Sequence, residues 1–158
     1  MKKYFICVIV ALIMQTVSAF GQCHEYIEAI AESELDPYIL DGNFLAPVVT
    51  EGETVKLNRT FLEGQSYKLV ICGMDMFFKE ITISEAKKVV FKNFGKEARD
   101  KMVTTADGDM FPLEGITFYE FTPDHTMNLE IKVKIVPFDG GGSGKLEGCL
   151  GILVGFQK

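Results

Sequence analysis

The spacing of hydrophobic and polar positions changes period once along the chain. In CHEYIEAIAESEL (Cys23–Leu35), Cys23, Tyr26, Ile27, Ile30 and Ala31 recur at i, i+3, i+4, i+7 and i+8 and form one apolar stripe. Glu25, Glu28 and Glu32 fall mostly on the other side. The pattern predicts a helix over 23–35. Asp36-Pro37 ends it, because a proline disfavours the helical conformation at the residue before it. A single stripe needs a surface to pack on, so the helix is expected to cover the edge or end of a sheet.

From Phe44 onward the period is two. In ETVKLNRTF, Val55, Leu57 and Phe61 point one way and Thr54, Lys56, Asn58 and Thr60 the other. Arg59 breaks the inward face and is expected near a rim. SYKLVIC, FFKEITIS, KVVFKN and ITFYEFT follow the same rule over shorter spans. MNLEIKVKIV is the cleanest case, with Leu129, Ile131, Val133 and Ile135 inward and Glu130, Lys132 and Lys134 outward. CLGILVGF is apolar on both faces and is expected to be central or covered. Turn clusters at Glu51-Gly52, Glu63-Gly64 and Pro123-Asp124 separate these runs. About eight short strands, with no helix-length pattern between them, predict an all-β, antiparallel, jelly-roll-like β-sandwich with one N-terminal helix. A long loop is expected from Gly95 to Gly115.

The opening residues MKKYFICVIVALIMQTVSAFGQ change the picture of where the protein works. Lys2 and Lys3 precede a short apolar run, and Val17-Ser18-Ala19 places small residues at −3 and −1 of a cleavage site. This predicts a secretory signal peptide over 1–22 and a single domain over 23–158, with no transmembrane segment after cleavage. Gln22 before Cys23 is not the small residue that lipidation requires. The full chain of 158 residues carries a net charge of −6, and loss of two leader lysines takes it to about −8. That balance argues against nucleic acid, which needs a basic face. The expected location is outside the cytoplasm: secreted, periplasmic or at the cell surface.

FLEGQSYKLVIC (Phe61–Cys72), YEFTPDHTMNLEIKV (Tyr119–Val133) and GCLGILVGF (Gly148–Phe156) together resemble a broad group of small secreted bacterial β-sandwich proteins. More distantly, they are similar to the bacterial pre-peptidase C-terminal domain. There a strand opening with G-Q-x-Y precedes a later Y-x-I-x-V strand in a jelly-roll sandwich. Gly64, Gln65 and Tyr67 carry most of the resemblance, and they imply structural roles. Those domains are usually attached to secreted proteases, whereas this sequence holds none. Related collagen-binding modules bind calcium, but their ligand residues find no match here.

Candidate chemistry narrows the function by subtraction. His24 starts the helix and His125 lies in TPDHT, and both read as solvated histidines rather than as the base of a nucleophile pair. No G-x-S-x-G elbow is present. No two of the 22 acids stand out as a catalytic pair. Asp107 and Asp109 in ADGDM are weak calcium candidates, and a plain Asp-Gly turn is the better reading of them. Tryptophan is absent, so a sugar-stacking platform is not signalled; Tyr38, Tyr67 and Tyr119 are the candidate surface aromatics. Asn58-Arg59-Thr60 matches a glycosylation sequon, and the expectation is a simple outward strand residue.

DGGGSGKLEGC (Asp139–Cys149) resembles a phosphate loop only superficially. Asp139 stands where the Walker pattern needs its first glycine, and Leu146 where it needs Ser or Thr. Gly142 and Gly144 match a dinucleotide loop, but Glu147 fails and a strand follows. No nucleotide and no cofactor are expected.

Three cysteines remain after the leader: Cys23, Cys72 and Cys149. One disulfide is expected, with no metal, because no CxxC pair or ligand-spaced histidine exists. Cys23 is the expected member of the pair, since a helix with a small sheet contact gains most from a staple. Its partner, Cys72 or Cys149, stays open. The expected function is a non-catalytic binding or envelope-associated module whose partner is a protein or a glycan. The alternatives are a calcium-stabilised adhesion or carbohydrate-binding module and a small hydrolase using carboxylates.

Overall fold

The computed structural model describes residues 18–42, 44–74, 79–92, 96–98, 102–104, 110–112, 116–136 and 147–157. One helix, α1 (Ser18–Glu34), precedes twelve strands among the described residues. These are β1 (Ile39–Leu40), β2 (Val48–Thr50), β3 (Thr54–Phe61), β4 (Tyr67–Met74), β5 (Lys79–Glu85) and β6 (Lys88–Lys92). β7 (Lys96–Ala98), β8 (Met102–Thr104), β9 (Met110–Pro112), β10 (Ile116–Phe121), β11 (Met127–Ile135) and β12 (Glu147–Phe156) follow.

Two antiparallel sheets face each other as an all-β sandwich. The first runs β1-β12-β4-β10-β7, with β2 also paired to β12; the second runs β3-β11-β5-β6. The chain crosses between them repeatedly, as from β2 to β3 to β4 and from β10 to β11 to β12. β11 is central in the second sheet. Leu129, Ile131 and Val133 are each paired to β3 on one side and β5 on the other, and all three are buried. Their inward phase meets Leu69 and Ile71 of β4 and Leu150, Ile152 and Val154 of β12 in one core. Burying each such aliphatic side chain stabilises the fold by about 1.5–3 kcal/mol relative to exposure.

β12 is buried on both faces for two different reasons. Its even-numbered residues enter the sandwich core, and its odd-numbered face lies under α1. There Leu153 packs with Val70, Cys72 and Ile116 against Tyr26, Ile27 and Ile30 of the helix. Gly151 lets the middle of the helix, and Gly155 the loop after it, come this close. A methyl group on Gly151 would lie 2.4 Å from Ile27 Cδ1 and 2.6 Å from Cys72 Sγ. One on Gly155 would lie 2.8 Å from Leu35 Cδ2 and 2.9 Å from the Tyr38 Cβ. Cys23 is bonded to Cys149 across this contact, with 5.4 Å between their Cα atoms and 126 residues between them in sequence. Cys72 keeps its thiol, buried opposite Gly151.

Three elements differ from the sequence reading. α1 begins at Ser18, five residues before the expected start. Gly21 is the only poor helix former in that extra stretch, and one glycine costs only about 1 kcal/mol. The expected loop 95–115 contains β7, β8 and β9, three residues each. Three residues are too few to show a period, and β7 owes its form to pairing with β10. Residues 39–50 make a broken edge strand along β12, through β1, the Leu45–Ile152 bridge and β2. No helix among the described residues is long and apolar enough to cross a membrane.

Candidate functional site

β3 forms one edge of the second sheet. Val55, Leu57 and Phe61 pack inward, and Arg59 shares their phase. An arginine cannot enter an apolar core unpaired, so the chain places it at the rim beside a carboxylate. Its Nη2 is ion-paired with Asp41 Oδ2, the two side chains being 22% and 32% exposed. Asp41 follows β1, and its N–H donates to the Val154 carbonyl at 2.8 Å. The pair therefore links the two sheets at their open edge.

Two hollows, each of about 560 Å³, share Asn58, Arg59 and Thr60. The first lies in the mouth between the sheets, with Asp41, Leu62, Gln65, Tyr67 and Phe156 around it. Its wall is the turn before β4. Gly64 has φ +73°, a conformation glycine adopts without a Cβ clash, and its N–H donates to the Pro123 carbonyl at 2.9 Å. The Gln65 side-chain amide donates to the Gln157 carbonyl. The Tyr67 hydroxyl accepts the Leu62 N–H at 3.0 Å, and its ring stands edge-on to Phe61 at 4.9 Å. Gly64, Gln65 and Tyr67 thus close the turn and tie it to the C-terminal strand.

The second hollow opens on the solvent face of the second sheet. Thr60 donates its hydroxyl to Asn128 Oδ1 at 2.6 Å across β3 and β11. Lys132 Nζ lies 2.6 Å from Glu130 Oε1. This hydrogen bond, with the charges of Lys132 and Lys56, holds the Glu130 carboxyl below the usual carboxylate range. Ser84 and Lys87 complete one side. Lys87 sits in the two-residue turn between β5 and β6, where Ala86 and Lys87 have φ +44° and +71°. Such a turn favours Asn-Gly, and each non-glycine residue in this region costs about 1–2 kcal/mol.

The structure places the other candidate residues apart from these hollows. His125 is exposed, with Nδ1 2.6 Å from Asp124 Oδ1 and Nε2 3.5 Å from Glu85 Oε1. The hydrogen bond to Asp124 leads the upward shift of its pKa, supported by both carboxylate charges. His24 lies 3.8 Å from Glu28 Oε1 and stacks on Phe44 at 5.0 Å. Both imidazoles thus face carboxylates. Tyr67 and Tyr119 are core residues, and Tyr38 is half-buried, its phenol pushed up by burial and the Glu120 charge. Asn58 points outward from β3 and is exposed, as the alternation predicts. Of the three candidate cysteines, Cys23 is paired as expected and Cys149 is its partner. Asp107, Asp109 and residues 139–146 lie outside the described residues. Among the described residues, no three His, Cys, Asp or Glu side chains are grouped to hold a metal ion.

Sequence alone placed Arg59 near a rim but did not single out the β3 edge as a site. Asp41, Asn128 and Lys87 reach it through cross-strand register, which local periodicity does not encode. The inward-phase arginine was the one signal that pointed there.

No protein-family model matches the chain, and no curated protein does. Among solved structures, the chain is similar to Aeromonas hydrophila PliG, a periplasmic lysozyme inhibitor of g-type lysozyme. The likeness has a TM-score of 0.44 at 12% identity and covers 73% of this chain and 85% of that one. A likeness of that degree carries no argument about function.

Proposed function

We propose that this chain is an exported, non-catalytic binding module that engages its ligand across the edge of β3. The observation that carries the reading is the pair of hollows meeting at Asn58, Arg59 and Thr60. Amide, hydroxyl and cationic groups are presented there from hydrogen-bonded strands, a rigid display suited to recognition. Their chemistry is that of hydrogen bonding and fixed charge, without a nucleophile set against a base. Export is supported by the leader-like segment 1–22 and by the Cys23–Cys149 disulfide, a bond that persists in oxidising compartments. On this reading Gly64, Gln65 and Tyr67, which carry the resemblance to the pre-peptidase C-terminal domain, belong to the scaffold.

The test is an array of neutral and acidic oligosaccharides and peptides probed with oxidised protein and with a Thr60→Ala/Asn128→Ala variant of unchanged circular dichroism. Binding by the parent that weakens in the variant is expected. Undiminished binding by the variant, or chemical turnover of the bound compound, overturns the reading.

A further inference from the structure

The solvent face of the second sheet has a charge arrangement that runs against the rest of the molecule. The chain as a whole carries −6, yet among the described residues of this face Lys56, Lys87, Lys132 and Lys134 stand with Glu80 and Glu130. Lys56 and Lys132 are directly opposite each other on β3 and β11. Like charges in that position destabilise a sheet. Glu130 bonds Lys132 and leaves Lys56 with only the more distant part of that compensation. The Ala86–Lys87 turn adds a second unfavourable feature beside the same hollow, since it holds a lysine where glycine is the natural choice. Two locally unfavourable features converging on one concave surface are the mark of a site kept for binding.

The companions of these cations indicate what kind of anion fits. Asn58, Thr60, Ser84 and Asn128 supply amides and hydroxyls, and among the described residues no aromatic ring lines this hollow. Apart from Ala86 and Leu129 its described lining is polar or charged, so a partner would be held here by hydrogen bonds and charge rather than by an apolar anchor. A duplex with one charge per about 1.7 Å would be repelled by the acidic body of the protein. A chain with spaced carboxylates and many hydroxyls meets both halves of the surface, and screening over about 8 Å at physiological salt confines the interaction to this face.

We propose that the outer face of the second sheet binds a carboxylated saccharide. Its carboxylates lie over the Lys56–Lys132 pair and Lys87, and its hydroxyls meet Asn58, Thr60 and Asn128. This inference rests on the β3 edge being a binding site and names the ligand class of that site.

The experiment is isothermal titration with a galacturonic acid hexamer, a neutral galactose hexamer and a glutamic acid hexapeptide, at about 20 and about 150 mM NaCl. The acidic saccharide should bind best, and more weakly at the higher salt. Lys56→Gln/Lys132→Gln should cut its affinity by about tenfold, as expected for loss of two charge contacts. Lys56→Gln alone, which relieves the opposed cations and keeps the Glu130–Lys132 pair, should raise the melting temperature. Ala86→Asn/Lys87→Gly should likewise weaken binding while raising the melting temperature by a few degrees. Equal binding of the neutral hexamer overturns the ligand class and leaves the binding site standing. Equal binding of the peptide shows charge without saccharide recognition and also overturns it. No binding of any probe overturns the inference, while the array with the Thr60/Asn128 variant judges the site separately.

Discussion

Replacing Gly151 with alanine tests whether helix and sheet are as closely fitted as the structure describes. The added methyl would meet Ile27 Cδ1 at 2.4 Å and Cys72 Sγ at 2.6 Å, and both neighbours are fully buried. Overpacking of this kind costs about 1–3 kcal/mol. Restricting the unfolded chain returns about 0.4–1 kcal/mol, so the net loss should be about 1–2 kcal/mol. Ile27→Ala alone leaves a cavity under the helix and should cost about 2–5 kcal/mol. The double variant is the informative one, because the new methyl then enters the space that Ile27 vacates. Its loss should fall short of the sum of the single losses by about 1 kcal/mol, within the range seen for residues in contact. Urea unfolding of the oxidised proteins, with a common slope, measures all four corners of the cycle. Gly42, whose methyl would meet nothing within 4 Å, serves as the control, and Gly42→Ala should stay within about 0.5 kcal/mol of the parent. Additivity to within about 0.3 kcal/mol, or a neutral Gly151→Ala, would refute the proposed fit.

Three further outcomes follow from the same structure. Cys23→Ser/Cys149→Ser opens a loop closed over 126 residues and should cost up to about 5 kcal/mol in urea unfolding; a change under about 1 kcal/mol would sink the staple. The Arg59–Asp41 pair is partly exposed, so a cycle of Arg59→Ala and Asp41→Ala should give a coupling of about 0.5–1 kcal/mol, and zero coupling would mean the sheets are not joined there. The raised pKa of His125 means its contribution to stability is fully present below the ordinary histidine value and is lost as pH rises through the folded value. The parent should therefore exceed His125→Gln in stability under mildly acidic conditions and converge with it on the alkaline side; the opposite trend in paired thermal melts would contradict the Asp124 and Glu85 contacts.

What was legible in the sequence was whatever local spacing controls. The period of two in β11 placed Leu129, Ile131, Val133 and Ile135 inward, and all four are buried. The stripe from Cys23 to Ala31 faces the sheet it needed. Arg59 could be placed at a rim because a charge on an inward phase has few other options. The partner of Cys23 was not legible, since Cys72 and Cys149 lie on neighbouring strands of the same covered face and only register separates them. β1, β2, β7, β8 and β9 were missed because each is two or three residues long, and β1, β2 and β7 also depend on a partner far along the chain. The site was hidden for the same reason: its residues come from β3, β11 and the β5–β6 turn, which meet only in the folded sheet. Gly151 and Gly155, four apart in an apolar strand, were a usable sign that another element comes close.

The bond between Cys23 and Cys149 also sets an order of events. Synthesis makes α1 before any strand, yet its covalent anchor is made 126 residues later. At roughly 5–20 residues per second that interval is on the order of 6–25 s. During the later part of it Cys72 is present and Cys149 is not, so an oxidant acting early finds Cys72 before Cys149. Cys72 is then drawn beneath the helix, opposite Gly151, only when β12 pairs with β4. Arrival of the last long strand therefore does two things at once: it brings the correct thiol and hides the wrong one. In the folded chain the same strand thus presents the right thiol and covers the wrong one.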